Sequence, residues 1–214
     1  MKISVSILKE IDNINNSVLK INYTDADYIH IDVQDNTFTS NISFPASLFS
    51  DLNDINSKKL DVHLMCTDPD ELIEEYSKLN PEYITFHVEA VSNVYKYIQM
   101  IKSKGIKVGI AINPETDVNR IVEYLPFIDL VLVMSVTPGL GGQSFIDNTS
   151  YKMEELYNLK SRYNYIICAD GGINDKTINI VNKYLDMVVA GSFITDSDDF
   201  QNFLNSIEFK KENK

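Results

Sequence analysis

The sequence predicts an α/β protein folded as a single closed (β/α)8 barrel, and three observations lead there. Short apolar runs of β character alternate with amphipathic helical patterns along the chain. Roughly eight such units fill 214 residues, leaving almost nothing for insertions, and a closed parallel barrel uses every strand. Residues able to bind metal or move protons (His30, Asp32, His63 and Asp170) recur where the apolar runs end. A doubly wound open sheet is the alternative that alternation alone allows; no GxGxxG follows the first strand, which weakens its dinucleotide-binding version.

Taken in order, Ile3–Leu8 is the first strand and Lys9–Ile21 a weakly patterned helix. Asp27–Val33 follows as a strand in which His30, Asp32 and Gln34 share a face, then a second weak helix over Pro45–Ile55. In the strand Lys59–Met65 the shared face carries Asp61, His63 and Met65. Thr67-Asp68-Pro69 puts a cap-competent residue before a helix-initiating proline and leads into a helix over Leu72–Leu79. Tyr83–Val88 is the fourth strand, and the helix Val94–Lys104 after it is stopped by Gly105. The pattern continues with strands Lys107–Ile112, Leu130–Val136, Tyr165–Asp170 and Met187–Gly191 and with helices Val118–Leu125, Ser150–Tyr163, Lys176–Tyr184 and, less securely, Asp198–Ile207. The expected domain spans residues 1–214.

Composition narrows the function classes. A hydrophobic content of 44% supports a substantial core, and a formal net charge of -12 argues against nucleic-acid or anionic-membrane partners. Cys66 and Cys168 form no CxxC pair and are too few for a disulfide scaffold, which suits a reducing compartment. The opening MKISVSILKEIDNI has neither the apolar core nor the cleavage site of a signal peptide, and no apolar run reaches spanning length, so a cytoplasmic protein is expected. Self-association through the outer helices is left open.

In a barrel, the ends of different strands converge, so two imidazoles and two carboxylates would form one mixed N/O site suited to Zn²⁺, Fe²⁺, Mn²⁺ or Co²⁺ rather than Ca²⁺. Taken singly, either histidine reads as a hydrogen-bonded core residue, and Asp170, before two glycines, as a turn residue. The glycine-rich stretch Val136–Phe145, with Asp170-Gly171-Gly172 and Ala190-Gly191-Ser192, supplies backbone N–H groups that can cradle an anion. A phosphorylated substrate is expected, held mainly by backbone because the chain has no basic run.

The segments Ser6-Ile7-Leu8, His30-Ile31-Asp32-Val33, Leu60–Met65, Thr85–Glu89, Val133–Val136, Pro138–Phe145, Asp170–Ile173 and Ala190-Gly191-Ser192 run in the order found in ribulose-phosphate 3-epimerases, which the sequence resembles over nearly its whole length. The resemblance implies a cytoplasmic enzyme of the pentose phosphate pathway interconverting D-ribulose 5-phosphate and D-xylulose 5-phosphate through a cis-enediolate. It implies one divalent ion on His30, Asp32, His63 and Asp170, with Asp32 and Asp170 as the acid-base pair. Substrate contacts would come from Ser6, His63, Met65 and Met134 and from the phosphate loops at Gly139, Gly141, Gly142, Gln143, Gly171, Gly172, Gly191 and Ser192. His87 and Glu89 also match the family pattern, as core or supporting residues. An allulose-6-phosphate 3-epimerase and a catalytically weakened sugar-phosphate-binding paralogue are the alternative readings.

Two departures stand out. Gln34 replaces a family methionine above Asp32, where its amide is placed to bond substrate or carboxylate, and Asn36 replaces a glycine. The first-strand loop reads Lys9-Glu10-Ile11-Asp12 where the family commonly has Ser-Ala-Asp-Phe.

Overall fold

The computed structural model describes residues 1–10, 13–43, 45–52 and 54–191. Ser192, the expected helix Asp198–Ile207, Ile11 and Asp12 lie outside the described residues. The strands β1 (Lys2–Ser6), β2 (Tyr28–Gln34), β3 (Lys59–Met65), β4 (Tyr83–His87), β5 (Lys107–Ile112), β6 (Leu130–Met134), β7 (Ile166–Asp170) and β8 (Met187–Ala190) are parallel and adjacent in chain order. β8 returns to β1, with Lys2 beside Met187 and Val5 beside Ala190, so the sheet is a closed barrel and the open-sheet alternative is excluded.

All seven residues of β2 are buried, because one face meets the barrel interior and the other the helix layer. Ile29, Ile31 and Val33 point to the helices and join the large apolar cluster between sheet and helices. α4 (Val94–Ser103) shows how a helix is matched to that layer: Val94, Tyr97, Ile98 and Ile101 form its buried stripe. Burying each such side chain contributes about 1.5–3 kcal/mol. Asn93 caps this helix by accepting from the Lys96 N–H, and Gly105, at φ +75°, takes the left-handed turn that ends it.

The other helices are α1 (Ile14–Asn22), α2 (Ala46–Leu52), α3 (Asp70–Ser77), α5 (Thr149–Leu159) and α6 (Ile178–Val181). Three expectations need correction. Pro69 does not initiate α3 from within: its own carbonyl accepts the first helical bond, from Ile73 N–H, so it occupies the cap position itself. The helix expected over Val118–Leu125 is a pair of 3₁₀ helices, Val118–Arg120 and Val122–Phe127, the second containing Pro126, which has no N–H to continue an α-helical ladder. The helix expected from Lys176 is shortened because Asn174 accepts from the Lys176 and Thr177 N–H groups and holds that stretch as a turn.

The barrel interior is divided. On β1 to β4 it is polar, with Ser4, Ser6, His30, Asp32, Asp61, His63, Thr85 and His87 all buried. On β5 to β8 it is filled by Ala111, Leu130, Leu132, Met134, Cys168, Met187 and Val189, with Asp170 the polar exception at the rim. Tyr28 and Tyr83 meet edge to face, ring centroids 5.8 Å apart, where β2 and β4 begin.

Candidate active site

Strand register brings the four candidate ligands together. Asp32 on β2 is the direct neighbour of His63 on β3, and His30 the neighbour of Asp61. Asp170 ends β7, and the Ser135 N–H and Oγ–H both donate to its carbonyl, at 2.7 and 2.9 Å. One donor atom from each of His30, Asp32, His63 and Asp170 lies within 4.8 Å of the others.

Each histidine is held by its far nitrogen. His30 Nδ1 lies 2.8 Å from Asp61 Oδ2, which also accepts from Ser4 Oγ at 2.9 Å. That bond places the proton on Nδ1 and leaves His30 Nε2 buried without a hydrogen-bond partner among the described residues. Nε2 faces Asp32 Oδ1 at 3.4 Å and Asp170 Oδ2 at 3.9 Å. His63 turns Nδ1 to the same two carboxylates, at 3.3 and 3.8 Å. Its Nε2 meets His87 Nε2 at 2.9 Å, and His87 Nδ1 meets Glu89 Oε2 at 3.2 Å. A consistent chain has His63 Nε2–H donating to His87 and His87 Nδ1–H donating to Glu89, whose other oxygen accepts from the Asn113 N–H. In that tautomer both imidazoles turn lone pairs to one point, the arrangement a bound metal requires; in the other, His63 Nδ1–H donates to Asp32 Oδ1.

Electrostatics agree with that geometry. Burial favours the neutral acid at Asp32, yet the His30 and His63 rings outweigh it and hold the carboxyl far below the usual range. Burial opposes protonation of His30, but Asp32 and Asp61 reverse this and raise its affinity for a proton. The two shifts express one demand: a positive charge is needed among these carboxylates, from a proton or from a bound cation. Burial, reinforced by the Asp32 charge, pushes Asp170 up to about 7. The proton affinities of the two aspartates are thus driven in opposite directions.

Above this cluster opens a cavity with roughly 630 Å³ of empty space, its mouth included. Ser6, Asp32, Met65, Met134, Gly139, Gly141, Gly142, Gln143, Asp170, Gly171, Gly172 and Gly191 all line it, whereas His30 and His63 are not among the lining residues. Gly172, at φ +64°, lies so near the next loop that a Cβ would come within 2.4 Å of the Phe145 backbone nitrogen. Gln143 reaches the cavity, but its Nε2 donates to the carbonyls of Thr137 and Leu140 and stitches its own loop.

The Gln34 amide bonds a loop hydroxyl rather than the Asp32 carboxylate. Its Oε1 accepts from Thr39 Oγ1 at 2.7 Å, away from Asp32, and Gln34 is not among the lining residues. Together with Asn41, whose Nδ2 donates to the Gly139 carbonyl, it braces the loop after β2 against the glycine loop after β6. Asn36 takes φ +65°, the left-handed conformation expected of it. Asp61 and Lys9 were missed as site residues: Asp61 lies on the same face as His63, but its bond to His30 is legible only in three dimensions, and Lys9 reaches the cavity from the first-strand loop.

Fold and site define an enzyme of the (β/α)8-barrel class, with its reactive groups at the C-terminal ends of the strands. The sequence profile of the ribulose-phosphate 3 epimerase family matches residues 2–195. Relatives named ribulose-phosphate 3-epimerase include one from Treponema pallidum, 38% identical over 170 residues and covering 78% of each chain. One from Helicobacter pylori is 35% identical over 210 residues, 93% of each chain, and one from Bacillus subtilis is 33% identical over 216 residues, 99% of this chain and 100% of its own. The chain belongs to the ribulose-phosphate 3-epimerase family and is an epimerase. Solved structures of phosphoribosylanthranilate isomerase from Thermotoga maritima (TM-score 0.67, 13% identity, 97% and 98% of the two chains) and of 3-hexulose-6-phosphate synthase from Salmonella typhimurium (TM-score 0.66, 19% identity, 97% and 96%) share its fold. Among the described residues no helix is long and apolar enough to cross a membrane.

Proposed function

We propose that this chain interconverts D-ribulose 5-phosphate and D-xylulose 5-phosphate by moving the proton on C3, as a cytoplasmic enzyme of pentose phosphate metabolism. The observation that carries this reading is the convergence of the His30, Asp32, His63 and Asp170 donor atoms within 4.8 Å beneath a glycine-walled cavity. The unpartnered Nε2 of His30 and the mixed N/O donor set fit one divalent ion, Zn²⁺, Fe²⁺, Mn²⁺ or Co²⁺, held by those four residues. When bound, such an ion supplies Lewis-acid stabilisation of negative charge on the sugar oxygens.

The remaining chemistry belongs to the chain. One aspartate carboxylate takes the C3 proton, giving a cis-enediolate, and the protonated carboxyl of the other returns a proton to the opposite face. The reverse reaction exchanges their roles. Ser6 Oγ donates to Asp32 Oδ2 at 2.7 Å and keeps that carboxylate oriented. Met65 and Met134 give the reacting carbon an apolar wall, and the loops at Gly139–Gly142, Gly171-Gly172 and Gly191 receive the phosphate on backbone N–H groups.

The test is to incubate metal-loaded protein with D-ribulose 5-phosphate in deuterated water and follow C3 deuteration and xylulose 5-phosphate formation. Wild type should show both, and Asp32→Asn and Asp170→Asn should each lower turnover by about 10²–10⁴-fold. Wild-type protein showing neither exchange nor product with any of the four metals would overturn the reading.

A further inference from the structure

We infer that Lys9, from the loop after β1, is the cationic anchor for the ligand's phosphate, a specificity residue that this chain adds to its backbone cradle. The inference rests on the sugar-phosphate reading above and names the side chain that selects the charged ester. The cavity needs such a group. Its described lining contains two carboxyl side chains, Asp32 and Asp170, and Lys9 is the one cationic side chain among them. The chain as a whole carries a net charge of -12, so its general field repels a dianion approaching the mouth.

Lys9 is placed to offset that repulsion at one point. Its stem lies directly on the loop after β6: a Cβ on Gly141 would come within 3.0 Å of Lys9 Cε, and a Cβ on Gly142 within 2.6 Å of Lys9 Nζ. The ammonium therefore occupies the space that any side chain at Gly142 would fill, beside backbone suited to an anion. No hydrogen bond or ion pair joins it to another described residue, in contrast to Lys59, Lys96, Lys104, Lys107 and Lys160, which each meet a carboxylate. A lysine ammonium without a partner among the described residues, beside such a loop, is a point-charge phosphate binder, able to follow a dianion without demanding bidentate geometry.

The experiment compares wild type, Lys9→Met and Lys9→Arg as metal-loaded full chains. It measures KM and kcat for D-ribulose 5-phosphate, kcat/KM for unphosphorylated D-ribulose, and inorganic phosphate binding by calorimetry. Lys9→Met keeps the stem and removes the charge. It should raise KM for the ester and the Kd for phosphate by about tenfold or more. Its kcat/KM loss on the ester should exceed that on D-ribulose by about tenfold, whereas Lys9→Arg should stay within about threefold of wild type. Ester KM and phosphate Kd both within about twofold of wild type in Lys9→Met would overturn the assignment, as would equal losses on ester and free sugar. If wild type turns over no pentulose phosphate, the proposed reaction fails by itself, and the calorimetric comparison still decides on Lys9: a Lys9-dependent phosphate Kd supports the anchor, and no measurable phosphate binding overturns it.

Discussion

Asp61→Asn isolates the contribution of a residue that touches neither the cavity nor the proposed ion. Asp61 Oδ2 alone accepts from both His30 Nδ1 and Ser4 Oγ, at 2.8 and 2.9 Å, so an asparagine oxygen in the same place keeps both bonds and removes only the charge. A hydrogen bond to a charged acceptor is worth about 1.5–3 kcal/mol and a neutral one about 1 kcal/mol, so the bond orienting His30 loses about 0.5–2 kcal/mol. Transmitted through the imidazole, that weakens metal binding by about tenfold, within the range of about 10–100-fold seen when such supporting partners are lost. The assay is a competition titration of Zn²⁺ or Co²⁺ against a chelating dye, with thermal unfolding of the metal-free proteins alongside to separate a folding defect from a binding one. Ser4→Ala, which leaves the charge in place, should cost less affinity than Asp61→Asn. Unchanged metal affinity in well-folded Asp61→Asn would refute the claim that the Asp61 charge strengthens the hold of His30 on the ion.

Gln34→Met removes the acceptor of the Thr39 hydroxyl, so urea unfolding should show a loss of about 1 kcal/mol; equal or greater stability would contradict the bracing role. Glu82 accepts from Lys107 and Lys59, both at 2.5 Å, and these partners lower its carboxyl below the ordinary value of 4.5. A carboxylate with a depressed folded-state pKa contributes stability that is present above its unfolded value and lost as the pH falls through the folded one. Melting temperature should therefore fall less steeply below about pH 4.5 in Glu82→Gln than in wild type, and parallel curves would exclude the linkage. Thr85 Oγ1 is buried with no partner among the described residues, so Thr85→Val should leave stability unchanged or raise it by about 1 kcal/mol; a clear loss would mean that the hydroxyl has a bonding role.

The barrel was legible because its strands are written in two registers at once. In YIHIDVQ the isoleucines and valine announce a face against helices, and the histidine and aspartate between them announce an interior face. The four clustered positions, His30, Asp32, His63 and Asp170, were legible for the same reason, since a polar side chain at an inward strand end must find a partner or a function. What resisted reading was set by distance rather than by type. Asp61 is another inward polar residue on β3, and only its contact with His30 on β2 tells it apart from a neutral support. Lys9 reads as a solvated loop lysine until the loop after β6 is folded over it, 132 positions further on at Gly141. Helix limits slipped wherever a local side-chain bond competed with the helix, as Asn174 does before α6.

The division of the barrel interior sets how the protein tolerates change. On the β5 to β8 side, Leu132, Met187 and Val189 touch through dispersion alone, so volume-conserving exchanges there should have small effects that add. On the β1 to β4 side, Ser4, Asp61 and His30 form one hydrogen-bonded unit, and His63, His87 and Glu89 form another. Removing one member leaves its neighbour with an unmet proton or lone pair, so effects within each unit should be strongly non-additive in double-mutant cycles. One half of the barrel can thus drift a residue at a time, and the other can change only in concert.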